Sequence, residues 1–471
     1  MRRALQGGFA LGMVAVLSSG AGGEMSTERT YFDRGYAHGL KGDFDRAIAD
    51  FSEAIRLDPK FVEALFNRGA MHFNQGDLDR AIADFSEAIR YDPEYVSALI
   101  NRGVAFSARG DLDRAIADFS DAIRLAPDRV DAHYNRGFAH ATKGDLDQAI
   151  GDFSEAIKLD PAHLEAVYNR GVVYREKGDL DRAVADFGEA ISLDPKNVHA
   201  RHNRGFAYAR KGDVDRAIAD FSEAIRLDPE YVDALFNRGI AYRNKGDLNR
   251  AIADLGEAIR LRPGAEEILV ARGGAYYASK DLDRAIADYS EAIRLDPNFV
   301  DALYNRGVAY KDAGNVDRAI ADYTAAIRID PKRSAAFLNR GNAYLDKGDF
   351  DRGIADYDQA IRLDSGQISA RKNRAGAYFF KGDLNRAIAE FGEVIRLDPK
   401  SLDARFLRGM VFMGKGDLDG AIADFSEVIR LDPRHAHAYG NRSSAYRQKG
   451  DVGRASADYK EAVRLGFVPI R

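Results

Sequence analysis

The chain has 471 residues, a formal net charge of -5, and neither cysteine nor tryptophan. The acidic balance argues against nucleic acid as the partner, because nucleic-acid backbones select a strongly basic protein face. The absence of cysteine excludes disulfides, thiol catalysis and thiolate metal sites, and it is compatible with an oxidising compartment.

The first 27 residues differ from the rest of the chain. Arg2 and Arg3 precede an apolar stretch at 9–17, and small residues follow at 18–21. This order predicts a secretory signal peptide at residues 1–21, a short linker at 22–27, and export to the periplasm or medium. The apolar stretch is too short for a membrane anchor, which needs about 20 residues. Translation from Met25 would instead remove the signal and leave a cytoplasmic protein.

A 34-residue unit fills the remainder of the sequence. Thirteen copies run from residue 28 to 469 without an insertion, and the copy Val62–Tyr95 is representative. A fixed period in this range is typical of a solenoid, in which each repeat packs mainly on its neighbours. An uninterrupted array leaves no room for a catalytic insertion, so we expect no enzymatic activity. Positions below are counted from the first residue of each repeat, with Val62 at position 1.

Each repeat carries two apolar patterns with helical spacing. Positions 4, 8 and 11 lie on one face of a first helix, and a second pattern begins at Ala81. Gly76 suits the left-handed residue that ends the first helix, and Asp77 or Asp79 suits the cap of the second. Pro93 ends the repeat. Position 8 is small in every copy, as at Gly69, and the spacing predicts that Ala81 of the partner helix approaches it closely.

These features resemble the tetratricopeptide repeat. The shared residues are a small residue at position 8, an aromatic at 11, alanine at 20 and 27, Phe or Tyr at 24, and proline at 32. The chain departs from the general pattern in having arginine at position 7. The resemblance implies an all-α fold, an α-solenoid of about thirteen antiparallel helix pairs in a right-handed superhelix. It also implies that the first helices line a concave face that binds proteins or peptides.

Asparagine recurs at position 6 of the first helix, on the side away from positions 4, 8 and 11. Core packing therefore does not explain it, and we expect a row of amides on the inner face. A row of amides resembles the asparagine ladder in the tetratricopeptide region of O-linked N-acetylglucosamine transferase, although that enzyme's catalytic region has no counterpart here. The resemblance implies that the row holds the backbone of an extended peptide. Its members are Asn67, Asn101, Asn135, Asn169, Asn203, Asn237, Asn305, Asn339, Asn373 and Asn441.

A second interpretation is that these asparagines bond the neighbouring first helix and only fix the pitch of the solenoid. Position 2 beside them is often acidic and position 9 mostly apolar, which favours a polypeptide with some basic residues. Acidic residues in a first turn also favour the helix dipole, so position 2 has a structural explanation too. Arginine at position 7 and Asp or Glu at position 23 lie beside core positions, so they are predicted to form structural ion pairs. They are poor catalytic candidates, because a carboxylate held by arginine is a weak base.

The array changes in three places. Ala271 and Leu407 interrupt the asparagine row, and Lys280 takes the place of the interhelical glycine. No polar capping helix follows the last repeat, which suggests weak self-association at that end. Neither a phosphate-binding loop nor a metal-binding histidine pattern occurs, so we expect no cofactor and no metal. The sequence thus predicts a scaffold that binds a protein or extended peptide on its concave face. The alternative is an adaptor that docks folded partners on its outer or terminal surfaces, with a purely structural asparagine row.

Overall fold

The structure is a computed structural model that describes residues 26–467. The expected signal peptide, most of the linker and the last four residues lie outside this part. The described residues form twenty-six α-helices and no strand, which confirms the all-α prediction. They divide into an N-terminal body that ends at Lys245 and a C-terminal body that begins at Gly246.

The N-terminal body contains thirteen helices of the described chain. They are α1 (Thr27–Leu40), α2 (Phe44–Leu57), α3 (Val62–Asn74), α4 (Leu78–Tyr91), α5 (Val96–Arg109), α6 (Leu112–Leu125), α7 (Val130–Lys143), α8 (Leu146–Leu159), α9 (Leu164–Glu176), α10 (Leu180–Leu193), α11 (Val198–Arg210), α12 (Val214–Leu227) and α13 (Val232–Lys245).

The described part of the C-terminal body also contains thirteen helices. They are α14 (Leu248–Leu261), α15 (Glu266–Ala278), α16 (Leu282–Leu295), α17 (Val300–Asp312), α18 (Val316–Ile329), α19 (Ser334–Asp346), α20 (Phe350–Leu363), α21 (Ile368–Phe380), α22 (Leu384–Leu397), α23 (Leu402–Lys415), α24 (Leu418–Leu431), α25 (Ala436–Gln448) and α26 (Val452–Arg464).

Within each body, neighbouring helices along the chain pack on one another. The first helix of a repeat contacts the second helix of the same repeat and the second helix of the preceding one, as α3 contacts α4 and α2. First helices of adjacent repeats also touch, as α3 and α5 do. The first helices therefore lie side by side, and residues at the same position of successive repeats form rows.

The turns between paired helices follow the local sequence. Gly76 has a φ of 81°, and the Asp77 carboxylate accepts a hydrogen bond from the backbone N–H of Arg80 at 3.0 Å. These contacts confirm the predicted left-handed glycine and the cap, and they identify Asp77 rather than Asp79 as the capping residue. Lys280 has a φ of 67° and is the one non-glycine residue with positive φ in the described chain.

The glycine at position 8 contacts the ring at position 24. A Cβ atom added at Gly69 would lie 2.8 Å from Cε1 of Phe85 and 3.2 Å from Cβ of Asp84. The atoms nearest to the added Cβ thus belong to Phe85 and Asp84 rather than to the predicted Ala81. Both Ala81 and Phe85 are completely buried, but the larger ring of Phe85 extends across the first helix. The glycine is required because the ring occupies the space of a side chain.

The predicted ion pairs between positions 7 and 23 form in both bodies. Arg68 donates to the two carboxylate oxygens of Asp84 at 2.7 and 2.9 Å, and its Nη1 donates to Ser52 of the preceding repeat at 3.1 Å. Asp84 is buried, whereas Arg68 is only partly covered. One arginine therefore connects three helices, and its role is structural.

Two glycines of neighbouring helices provide a matched test of the close contact. A Cβ atom at Gly137 on α7 would lie 3.0 Å from Phe153, whereas Gly151 on α8 is exposed and has no atom within 4 Å. We expect Gly137→Leu to lower the free energy of unfolding by about 3 kcal/mol, because the ring has no space to move into. We expect Gly151→Ala to raise it by about 0.5–1 kcal/mol through helix propensity. Urea unfolding followed by circular dichroism measures both, and equal stability of Gly137→Leu and wild type would contradict the packing argument.

Candidate functional site

The ten asparagines of the row lie at position 6 of first helices, but they are not equally exposed. The first five are buried, with exposed fractions from 0 to 5% at Asn67, Asn101, Asn135, Asn169 and Asn203. The other five, from Asn237 onward, are half-buried. The prediction that core packing does not reach this position was therefore wrong for the first five. The side chain at position 5 of the preceding repeat bonds to the amide at Asn169, Asn203, Asn237 and Asn339.

Where position 5 is tyrosine, the asparagine of the next repeat donates to its hydroxyl. Asn169 donates to Tyr134 at 3.1 Å and Asn203 donates to Tyr168 at 2.8 Å in the N-terminal body. Asn339 donates to Tyr304 at 2.8 Å in the C-terminal body. Each bond joins residues 35 apart in adjacent first helices and contributes about 0.5–1.5 kcal/mol. These three asparagines have a structural role.

Where position 5 is apolar, the next asparagine lacks this partner. Phe32, Phe66 and Ile100 precede Asn67, Asn101 and Asn135 in this way. In the described structure, one buried amide atom of each has no hydrogen bond: Oδ1 of Asn67, Nδ2 of Asn101 and Oδ1 of Asn135. A buried polar atom without a partner costs about 1–3 kcal/mol. Helices α3, α5 and α7 thus carry amides whose hydrogen-bonding capacity the fold does not use.

His202 takes the place of tyrosine before Asn237. The Asn237 amide Nδ2 lies 2.8 Å from Nε2 of His202, whose ring packs 5.2 Å from Tyr231 and 5.7 Å from Phe221 between centroids. An amide donor requires Nε2 to be unprotonated. Burial lowers the pKa of His202 to about 4, because the charged form would lose its hydration. The neutral imidazole therefore acts as an acceptor, as the tyrosine hydroxyls do.

This histidine makes stability depend on pH. Its unfolded-state pKa of 6.5 exceeds the folded value of about 4, so the unfolded chain holds more protons between these values. Its contribution is complete above pH 6.5 and is lost as the pH falls toward 4. Between pH 7 and 4, we expect the unfolding free energy of wild type to fall by about 1–3 kcal/mol more than that of His202→Tyr.

The tyrosine variant is a suitable reference, because Tyr134 and Tyr168 occupy the same position in two neighbouring repeats. Urea unfolding at a series of pH values measures the difference, and all other titrating groups are common to both proteins. Parallel stability curves for the two proteins would show that His202 is not held neutral by the fold.

A second polar network lies beside the row in the C-terminal body. The hydroxyl of Tyr357 donates to Oδ1 of Asn342 at 2.8 Å, and Asn373 donates to the same oxygen at 2.7 Å. Tyr323 is the equivalent tyrosine of the preceding repeat. Position 9 of that repeat is a valine instead of an asparagine. The Tyr323 hydroxyl is buried and has no hydrogen bond within the described structure. The two tyrosines share the same position and burial but differ in hydrogen bonding.

Removing one hydroxyl at a time tests this difference. We expect Tyr357→Phe to lower the free energy of unfolding by about 1 kcal/mol, because a buried hydrogen bond is lost. We expect Tyr323→Phe to leave it unchanged or to raise it, because an unpartnered buried hydroxyl is removed. Denaturant unfolding of the two variants under identical conditions gives the comparison. A larger loss at Tyr323 than at Tyr357 would contradict the assigned bonding.

Three acidic residues of the edge expected at position 2 are paired with Arg or Lys side chains. Asp131 accepts from Arg129 at 2.5 and 2.9 Å, Asp301 accepts from Arg333 at 2.6 Å, and Asp403 accepts from Lys372 at 3.3 Å. Sequence analysis missed these pairs because the bases lie at positions 5 and 34, outside the acidic row. The surface beside the asparagine row is consequently less acidic than the composition of position 2 suggests.

Sequence analysis also missed a cavity between α5 and α7. Its volume is about 430 Å³, and its lining includes Ser107, Ala108, Leu112, Phe138 and Thr142. Position 12 is the small Ser107 in this repeat, where other repeats carry Phe73 or Tyr277, but it is also small at Ala141 and Ala209, so the sequence signal was not specific. The cavity shares α5 and α7 with Asn101 and Asn135, and its third helix is α6.

Apolar side chains are exposed near one of the interruptions of the asparagine row. Near Leu407, the first helices α21 and α23 expose Phe379, Phe380 and Met410. The described residues contain no group of three or more histidine, aspartate or glutamate side chains arranged to hold a metal ion. None of the helices in residues 26–467 is long and apolar enough to cross a membrane.

Two family models match the chain over most of its repeats. The model described as "Tetratricopeptide repeat" matches residues 32–96, 72–130, 100–163, 203–266, 304–368, 338–401, 372–433 and 406–466. The model described as "TPR repeat" matches residues 171–212 and 273–314. No curated protein matches the sequence.

Several solved structures are similar to the chain. MamA is 28% identical, with 34% of this chain and 95% of that chain covered and a TM-score of 0.34. YrrB, described as a TPR protein with an unusual peptide-binding site, is 24% identical, with 39% and 95% covered and a TM-score of 0.36. A tetratricopeptide repeat protein from Parabacteroides merdae is 23% identical, with 53% and 98% covered and a TM-score of 0.41.

Proposed function

Because this chain belongs to the tetratricopeptide repeat family, we propose that it is a non-enzymatic scaffold that binds an extended segment of a protein partner. The segment lies on the surface of the first helices and is held by part of the asparagine row. The family provides a general protein-interaction scaffold, and the choice of surface rests on the asparagines themselves. The observation that carries the proposal is the set of amide atoms at Asn67, Asn101 and Asn135 that make no hydrogen bond in the described structure. Because these atoms are buried, their side chains must rotate outward to bond to the segment.

An extended peptide suits these amides for a chemical reason. Each residue of an extended backbone offers one N–H donor and one C=O acceptor, and an asparagine amide offers both complementary groups. Backbone recognition of this kind tolerates any side-chain sequence. Each bond contributes about 0.5–1.5 kcal/mol net, so three of them need additional side-chain contacts to give useful affinity. Asn169 and Asn203 bond to tyrosines instead and serve as an internal reference.

The test compares two pairs of asparagines in the same body. Segments of the partner are identified by photo-cross-linking to the full chain in a lysate of the source organism, then synthesised with a fluorescent label. Anisotropy titration measures their affinity for wild type, Asn101→Ala/Asn135→Ala and Asn169→Ala/Asn203→Ala. We expect the first double variant to bind about tenfold more weakly with unchanged or raised stability, because it loses no internal hydrogen bond.

The second double variant is the matched control. It loses both bonds to tyrosine and the inter-repeat bond that Asn203 accepts from Arg175, and its free energy of unfolding should fall by about 1–3 kcal/mol or more. Its affinity at a temperature where it remains folded should change little. Full affinity in Asn101→Ala/Asn135→Ala would reject binding by the row and would favour the second candidate function.

The second candidate is an adaptor that docks a folded partner on a terminal surface, with a structural asparagine row. The final helix α26 supports it, because Val452 and Val463 are exposed at positions that face the next repeat elsewhere. Lys460 on this helix replaces the serine that accepts from arginine of the following repeat, as Ser426 accepts from Arg442. If a second copy of the repeat packed on α26, the positive charge of Lys460 would repel the arginine at position 7 of that copy. This surface therefore fits a different protein better than self-association.

A further inference from the structure

The cavity between α5 and α7 is bounded by small side chains on one helix and by a ring on the other. Ser107 and Ala108 lie near the end of α5, Leu112 begins α6, and Phe138 and Thr142 belong to α7. The apolar part of the wall comes from Leu112 and Phe138. The cavity volume of about 430 Å³ is large enough to admit an amino-acid side chain and still communicate with solvent.

The polar part of the wall contains one unused hydroxyl. Ser107 is only 8% exposed, and its Oγ has no hydrogen bond within the described structure. The neighbouring Thr142 hydroxyl donates to the carbonyl oxygen of Phe138 at 2.9 Å and is therefore occupied as a donor. Rotation of Ser107 about a single bond moves its hydroxyl between staggered positions at low cost. The cavity thus combines apolar walls at Leu112 and Phe138 with the unused hydroxyl of Ser107, and Arg109, which donates to Asp79 at 2.7 Å, lines another part of it.

Other repeats of the same chain show which side chain fits this position. Position 12 is Phe73 in the preceding repeat, where the ring packs against the apolar clusters of both adjacent repeats. Position 12 is Tyr277 in the C-terminal body, and its hydroxyl donates to Asp312 on the next first helix at 2.5 Å. Asp312 occupies the position that Thr142 occupies beside the cavity. This hydrogen bond raises the pKa of Tyr277 to about 12.

We propose that the cavity receives a tyrosine side chain of the bound segment, with its ring against Phe138 and Leu112 and its hydroxyl bonded to Ser107. The inference rests on the proposed function, because the tyrosine is carried by the segment that the row holds. The partner is therefore an extended polypeptide with a tyrosine, and the cavity supplies the side-chain contact that three backbone bonds lack. An aromatic side chain buries about 150–250 Å² of surface when it is enclosed, so a tyrosine would add a substantial apolar contact to the three backbone hydrogen bonds.

The experiment selects peptides from a random phage-displayed library on the full chain and, in parallel, on Ser107→Tyr. This variant recreates the residue that position 12 carries at Tyr277, so it fills the cavity without disturbing the helices. Circular dichroism and melting confirm that it is folded. We expect tyrosine to be enriched at one place in the peptides selected on wild type and to lose that enrichment on Ser107→Tyr.

Affinities of one selected peptide and its Tyr→Ala and Tyr→Phe versions then measure the contact. On wild type, we expect Tyr→Ala to weaken binding about tenfold or more and on Ser107→Tyr by less than about twofold. Ser107→Ala removes only the hydroxyl, so we expect it to retain ring binding and to abolish the preference for tyrosine over phenylalanine.

The outcomes separate the inference from the proposed function. Peptides that bind wild type and depend on Asn101 and Asn135, but show the same Tyr→Ala loss on Ser107→Tyr, would overturn the cavity and leave the scaffold proposal intact. Enriched peptides without any tyrosine would do the same. A library that yields no peptide above the background of Asn101→Ala/Asn135→Ala would overturn both.

Discussion

The arginine at position 7 determines how each repeat meets its neighbour. Arg102 reaches Asp118 on the second helix of its own repeat and Ser86 on the second helix of the preceding repeat. Burial raises the pKa of Asp118 although Arg102 donates to it, so the loss of hydration outweighs the attraction. A pair of this kind contributes little net stability, but any packing that separates it leaves a buried charge. We infer that the pair fixes the spacing of the first helices, and the rows on their surface depend on that spacing.

Local sequence was sufficient to predict the repeats, the paired helices, the glycine turns and the aspartate caps. Each of these features depends on residues a few positions apart, so a single repeat contains all the information. The residue nearest to the glycine was not predicted, because Ala81 and Phe85 lie on the same face of the second helix. Helical spacing identifies that face, but it does not specify which side chain extends across the first helix. Side-chain size and direction decided the contact in favour of Phe85.

The state of each asparagine could not be predicted from its own repeat. Asn101 and Asn203 occur in nearly the same local sequence, yet Asn203 bonds to a tyrosine and Asn101 does not. The difference comes from position 5 of the preceding repeat, 35 residues earlier, which is Tyr168 for one and Phe66 for the other. Both interpretations of the row, binding and structural, thus have residues that support them. A hydroxyl at position 5 accepts from the next asparagine, whereas after Phe32, Phe66 or Ile100 one amide atom of that asparagine makes no hydrogen bond in the described structure.

Two independent features share helices α5 and α7. The unpartnered amides of Asn67, Asn101 and Asn135 follow from apolar residues at position 5, whereas the cavity follows from Ser107 at position 12. Different positions of the repeat produce them, so one substitution does not explain both. Each unpartnered polar atom costs about 1–3 kcal/mol, and a long array with twelve other repeats can carry that cost. A bound peptide would satisfy the amides and fill the cavity together. Unused polar groups beside an unfilled apolar cavity are the arrangement expected where binding, rather than folding, completes the contacts.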